Sequence, residues 1–393
     1  MTAPSSPSGF AAHLEHDLLE RARELLPLAV ELRAEGEATG QVPRRLFEAA
    51  GAAGLFRMYA PREVGGHEAP PPVAAAVIEL LAGVDPTLTW VMGNSGAVCF
   101  AAARLEPAQR AEVFAVPDRN FGFSAAAGGR AEPTTSGAGF RLNGEWPVVT
   151  GVLDAPWCAL GGVLAPNDAV DAKPSPCLFL VPHDALEIER IWDEAVAMRA
   201  TGSHRVRVVD AELPAWCAVR GGPLTIDRPL YRLGAAVGGN VGNGAVSVGV
   251  LRGAVEAAAE ELATKVSTIS KRPASANLSV LELLAEADCA YRSLRAGVFT
   301  AASELWEAAQ AGADTIEQRA SVHAYVFYAT QVARETISAL YSRVSNAAFF
   351  RGHPLERALR DIHALAYGMD TIRAFQHSAA LVRLGLPPAA PGF

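Results

Sequence analysis

The hydrophobic pattern of this 393-residue chain changes period twice, and that alternation constrains the fold more than any single motif. From about His13 to Ala38, the run LLERARELLPLAVELRAE places apolar residues three and four apart, the spacing of an amphipathic helix. VPRRLFEAAGAAG predicts a second helix opening at Pro43, since proline suits a first helical turn. Residues 73–83 and 87–105 are apolar almost all round and read as buried helices. Residues 1–9 are Ser/Pro-rich and are expected to fray.

Near residue 117 the character changes. FGFSAAA, FRLNGEWPVVTG, WCALGGVLA, PCLFLVP, LEIERIW and SHRVRVVDAEL are short runs rich in β-branched and aromatic residues, separated by Gly, Pro, Asn and Asp. They predict about six strands, spaced as in a small barrel or sandwich. Beyond Pro223 the helical period returns in segments 228–265, 276–311, 315–348 and 354–385. Long amphipathic helices with short connections make an antiparallel bundle. The expected fold class is mainly α with a middle β-domain. Residues 10–118 form an N-terminal helical domain, 119–222 a β-barrel-like domain, and 223–393 a C-terminal four-helix bundle.

Composition narrows the function classes. Half the residues are apolar and 19% are charged, which excludes a disordered chain. The net charge is −8 and no Lys/Arg tract exists, so no nucleic-acid partner is expected. No run of about 18 apolar residues is present, so no membrane span is expected. The N-terminus lacks the basic and apolar regions of a signal peptide. The five cysteines (Cys99, Cys158, Cys177, Cys217 and Cys289) are scattered, with no CxxC pair. That pattern gives no metal site and fits a reduced, cytoplasmic setting.

Four motifs remain. GGNVGNGAVSVG (238–249) looks like a dinucleotide loop, but no βαβ unit surrounds it and Ser247 stands where the third glycine belongs. It reads instead as small residues that let two helices approach. GEWPVVTG (144–151) is a strand with an aromatic plug. MRATGSHRVRVVDAELPA (198–215) is a turn leading into a strand. RGHPLERALRDIHALAYG (351–368) opens a terminal helix.

In this order and spacing, and with the turn YAPREVGG (59–66), these motifs resemble the acyl-CoA dehydrogenase superfamily. DPTLTW (85–90), the strand pattern GxWxxxxG, PLERALRD and the ending LVRLGLPP are most similar to its flavin-dependent monooxygenase branch, of the two-component, group D type. The resemblance implies a helical N-terminal domain, a β-domain and a four-helix bundle, assembled as a homotetramer. It also implies reduced FMN or FAD, supplied by a separate flavin reductase and used with O2 to hydroxylate a small-molecule substrate. It places Ser124, Trp146, Val149 and Thr150 beside the flavin ring. Arg272, with Lys271 next to it, matches the family's phosphate-binding arginine, supplied across a subunit interface. Ser345, with Ser342 and Asn346, falls where the C-terminal helices approach the cofactor.

Two departures from the family pattern bear on the chemistry. The branch usually carries a histidine eight residues past the Arg of "RD"; here that place is Gly368, after Tyr367. The dehydrogenases carry a glutamate near this point, and Tyr367-Gly368-Met369-Asp370 has none. His363, Asn94 and Tyr367 are the candidate catalytic residues, with His377 and Asp370 nearby. Without a histidine at 368, the expected substrate is an amine or a carrier-bound group rather than a phenol. The alternatives are an acyl-CoA dehydrogenase or oxidase, and a flavin-free scaffold derived from the family.

Overall fold

The computed structural model describes residues 16–135, 138–166, 173–266, 271–313, 315–390 and 392–393. The Ser/Pro-rich start and Ser270 lie outside the described residues. The N-terminal part is helical, with α1 (Asp17–Thr39), α2 (Arg44–Ala52), α3 (Pro71–Ala82), α4 (Pro86–Ala101) and α5 (Pro107–Val113). α1 stops at Gly40, whose φ of 72° lets its N–H turn back to the Gly36 carbonyl. α4 starts on Asp85, whose carboxylate accepts from the N–H groups of Thr87 and Leu88, with Pro86 at the first position. α3 and α4 are buried on nearly every face.

Seven strands follow in one sheet: β1 (Gly122–Pro133), β2 (Gly139–Val149), β3 (Trp157–Leu164), β4 (Ser175–Pro182), β5 (Glu187–Glu189), β6 (His204–Pro214) and β7 (Ala218–Val219). Their order is β5-β6-β2-β1-β3-β4-β7. The six runs read from the sequence are β1 to β6, and β7 is a two-residue addition at one edge. β5 and β7 are the two edges, so among the described residues the sheet is open rather than a closed barrel. It is nevertheless strongly curled. β2 and β4 stand three strand spacings apart, about 14 Å in a flat sheet, yet the Phe140 and Phe179 rings they carry are 5.3 Å apart. Trp146 sits inside this curl. Its indole N–H donates to the carbonyls of Ala126 (3.1 Å) and Gly161 (2.8 Å), at the break in β1–β3 pairing between Ser124 and Gly129.

The chain then forms α6 (Pro229–Leu233), α7 (Ala235–Thr264), α8 (Leu278–Gln310), α9 (Ile316–Arg343), α10 (Pro354–Thr371) and α11 (Ala374–Arg383). The single helix expected over 354–385 is two. The Thr371 hydroxyl donates to the Gly368 carbonyl (2.7 Å), and the Ile372 N–H turns to Met369 instead. A side chain that takes up the last carbonyl competes with continuation of the helix. No helix among the described residues is long and apolar enough to cross a membrane.

α7 is the axis of the molecule, packed against α3, α4, α8, α9 and α10. Its glycines make that contact possible. A Cβ on Gly249 would lie 2.5 Å from the Glu79 carbonyl, and one on Gly253 would lie 2.2 Å from the Gly83 carbonyl. The GGNVGNGAVSVG run is thus the start of a helix-packing surface, as its sequence context suggests. Gly239 differs, because a Cβ there meets nothing within 4 Å. We expect Gly253→Ala to destabilise the protein by about 1–3 kcal/mol, the usual cost of overpacking a fixed backbone contact. Gly239→Ala should be neutral or stabilising by up to about 1 kcal/mol, through helix propensity alone. Urea unfolding of the two variants checks the contrast, and equal effects would show that α3 and α7 do not meet backbone to backbone.

Candidate functional site

The sheet residues singled out by sequence meet at the end of β1 and β2. Phe123 and Thr150 exchange backbone hydrogen bonds of 3.2 and 3.0 Å, with Ser124 the next residue along β1. Both hydroxyl residues are buried. Ala125, Ala126 and Ala127 follow Ser124 as an exposed run of small side chains. Trp146 and Val149 are fully buried, so they shape this region from within; the Trp146 N–H holds the backbone of the small-residue run.

A third segment closes on these two strands. Thr201-Gly202-Ser203 crosses the end of β2, and the Gly151 N–H donates to the Thr201 carbonyl (3.1 Å). The Thr201 and Ser203 hydroxyls are 2.8 Å apart, and Ser203 donates onward to Thr150 (3.2 Å). Three buried hydroxyls therefore form one chain.

The turn is pinned from the bundle. Asp361 of α10 accepts the Met198 N–H at 2.6 Å, and Arg360 donates to the Val196 carbonyl and to Glu37 of α1 (3.0 Å). Asp361 is fully buried, and its Oδ2 has no hydrogen-bond partner. Burial pushes its carboxyl up from 3.8 to about 7, against the opposing pull of the Met198 N–H and Arg360. In the sequence, Arg360-Asp361 serves only as a landmark. The available signal was its position: Asp361 falls on the buried stripe of α10 with Ala358, Ile362 and Leu365, where a charge is unexpected.

The other candidates lie elsewhere. Ser345 caps the 346–349 turn and accepts from Lys265 Nζ at 2.7 Å. The loop that carries Arg272 returns to the same lysine, through the Ala274 N–H and the Lys265 carbonyl (2.9 Å). Arg272 and Ser345 thus share one end of the bundle. The three catalytic candidates do not converge in one chain. Asn94 donates to Trp90 of its own helix (2.7 Å), exposed His363 faces Ser338 of α9 at 3.4 Å, and Tyr367 is 74% exposed. At Gly368 a Cβ would meet nothing within 4 Å. Among the described residues no group of three or more His, Cys, Asp or Glu side chains could hold a metal ion.

An N-terminal helical layer, a curled sheet and a helical bundle, closed on a hydroxyl-lined crease, define a protein of the acyl-CoA dehydrogenase-like fold. The acyl-CoA dehydrogenase N-terminal domain model matches residues 15–114, and the C-terminal domain model matches residues 241–368. The chain belongs to the acyl-CoA dehydrogenase superfamily. It is 26% identical over 397 residues to a pigment production hydroxylase of Rhodococcus erythropolis, covering 96% of this chain and 99% of the relative. It is 27% identical over 328 residues to an indole-3-acetate monooxygenase of Pseudomonas putida, covering 81% of each. Among solved structures it is similar to XiaF from Streptomyces sp. in complex with FADH2 and glycerol, with a TM-score of 0.86 and 26% identity over 97% of this chain and 98% of that one.

The Asp361 carboxyl gives a pH dependence with a definite sign. Below about pH 4 it is protonated whether the chain is folded or not, and above about 7 it is ionised in both states. Between them the unfolded chain ionises first, so stability falls as pH rises. We expect wild-type stability relative to Asp361→Asn to decline across this window and level off above it. Urea unfolding of both proteins at a series of pH values checks this, and identical slopes would count against a buried carboxyl.

Proposed function

We propose that this protein is the oxygenase component of a two-component flavin monooxygenase. It takes reduced FMN or FAD from a separate flavin reductase and uses O2 to hydroxylate a small organic substrate. The observation that carries this reading is the crease itself: the joined Thr150, Ser203 and Thr201 hydroxyls at the end of β2, beside Ser124 and the exposed run of small residues that follows it on β1. That donor set fits the polar edge of a flavin, and the small side chains leave room for a flat ring. The relatives named as hydroxylases and monooxygenases over most of the chain support the same conclusion.

Reduced flavin, when bound, supplies the electrons that activate O2 for transfer of one oxygen atom to the substrate. The protein's own residues bind, orient and exclude water. Ser124 and Thr150 hydrogen-bond the pyrimidine edge. Trp146 and Val149 support that strand from behind. Arg272, from a neighbouring subunit, grips the flavin phosphate with parallel hydrogen bonds, and Lys265 and Ser345 frame the same end of the bundle. Exposed Tyr328, Phe349, Phe350 and Tyr367 are then covered by other copies in a homotetramer. Five free cysteines fit a reduced, cytoplasmic setting. A dehydrogenase would need a carboxylate base near residue 368. The nearest one in sequence, Asp370, is half-exposed and paired with Arg373.

The test is to mix the protein with chemically reduced FMN or FAD and then with O2. The expected result is delayed flavin reoxidation, with hydrogen peroxide released only at that slow rate because no substrate is present to take the oxygen atom. Bleaching of bound oxidised flavin by an acyl-CoA would instead establish dehydrogenation.

Gly368 leaves open space where relatives are expected to hold an imidazole. In this reading the space belongs to the substrate, an amine or carrier-bound group that needs no deprotonation there, with Asn94, His363 and Tyr367 as groups at its border. Gly368→His should fold with unchanged or slightly raised stability, since glycine costs a helix about 1 kcal/mol against alanine. It should keep flavin binding and lose turnover of the native substrate. Full turnover in that variant would place Gly368 outside the substrate site.

A further inference from the structure

We propose that Asp361 is a positioning residue: acting through the backbone of Met198, its carboxylate fixes the Thr201–Ser203 turn in the register that brings the crease hydroxyls together. The role of those hydroxyls toward flavin rests on the reading above; the contact itself does not.

The geometry is a continuous series of polar contacts from α10 to the end of β2. Asp361 Oδ1 accepts the Met198 N–H at 2.6 Å, across 163 positions of sequence. The Met198 carbonyl accepts from the Trp192 indole (3.0 Å), the Thr201 N–H (3.1 Å) and the Thr201 hydroxyl (2.8 Å). The Thr201 and Ser203 hydroxyls are 2.8 Å apart, and those of Ser203 and Thr150 are 3.2 Å apart. Met198 has a φ of 49°, a left-handed conformation that a non-glycine residue keeps only when its surroundings hold it. Its N–H and its carbonyl are both held, the first from another domain.

Burial favours the protonated form of this carboxyl. Charged groups of α10 and α1 act on it: Arg360 and Arg357 from its own helix favour the ionised form, and Glu37 opposes it. Asp85, at the start of α4, acts on Arg357. One carboxylate oxygen is left bare and buried, an arrangement that costs stability. What it supplies is a strong, fixed acceptor for a single N–H.

The test uses the intact, flavin-free protein first. Hydrogen–deuterium exchange over residues 196–203 should be at least about tenfold faster in Asp361→Ala than in wild type. It should be nearly unchanged in Asp361→Asn, whose amide oxygen still accepts from Met198. Titration with FMN and FAD should then show about tenfold weaker binding for Asp361→Ala and rescue in Asp361→Asn, the loss of about one hydrogen bond's worth of organisation. Wild-type exchange and affinity in Asp361→Ala overturn the proposal, and so does faster exchange with unchanged affinity. If the wild type binds no flavin, the functional reading fails, while the exchange data still decide whether Asp361 holds the turn. Should Asp361→Ala not fold, Thr201→Val cuts the chain one link further on and leaves the Met198 N–H bonded. It is expected to weaken flavin binding about tenfold, and unchanged affinity overturns the proposal.

Discussion

The bundle and the sheet are locked together at the Met198 N–H. That donor reaches a fully buried carboxylate on α10, 2.6 Å away, and the helical layer joins at the same place. Arg360 ties α10 to Glu37 of α1, Arg199 reaches the Glu37 carbonyl (2.7 Å), and Gln41 pairs with Thr201 as an isolated bridge. All three parts of the chain therefore close on residues 196–203. The three parts share one continuous apolar core, but apolar contact is non-directional. Directional bonds to buried charges fix one relative position.

Close backbone approach is the second constraint. α7 can lie against α3 only because glycines occupy the crossing, and the sheet can curl around Trp146 only because Gly129 and Gly144 leave room. A Cβ on either would lie 2.7 Å from the indole ring. The ring then pulls the sheet together by donating to both β1 and β3. The sequence spends its small residues where two backbones or a backbone and a ring must touch, and close packing there transmits position from the bundle to the crease.

The alternation of helical and strand periods was readable because burial repeats within each element. β1 to β6 are long enough to show it; β7, with two residues, carries no period at all. The break after α10 was not readable, since Thr371 looks like any helix-surface threonine until its hydroxyl is seen on the Gly368 carbonyl. His363, Tyr367 and Asp370 recur three and four apart on the exposed face of α10, so the period already set them off from the buried stripe that includes Asp361. The partner of Asp361 could not be read, because nothing local to either residue records a contact spanning 163 positions. Ser124 and Thr150 were named from family resemblance alone. The bridge between Phe123 and Thr150, which joins the two strand ends, is a feature of the folded sheet.

α10 consequently does two jobs on two faces. Its buried face carries Asp361 and holds the Thr201–Ser203 turn. Its other face carries Tyr367 and Gly368, where nothing packs on the glycine. The first face cannot change without loosening the junction of all three parts. At Gly368 the second has no contact within the chain, so a side chain added there leaves the Asp361–Met198 bond untouched. A fold built this way separates the residues that fix the hydroxyls from those that border open space.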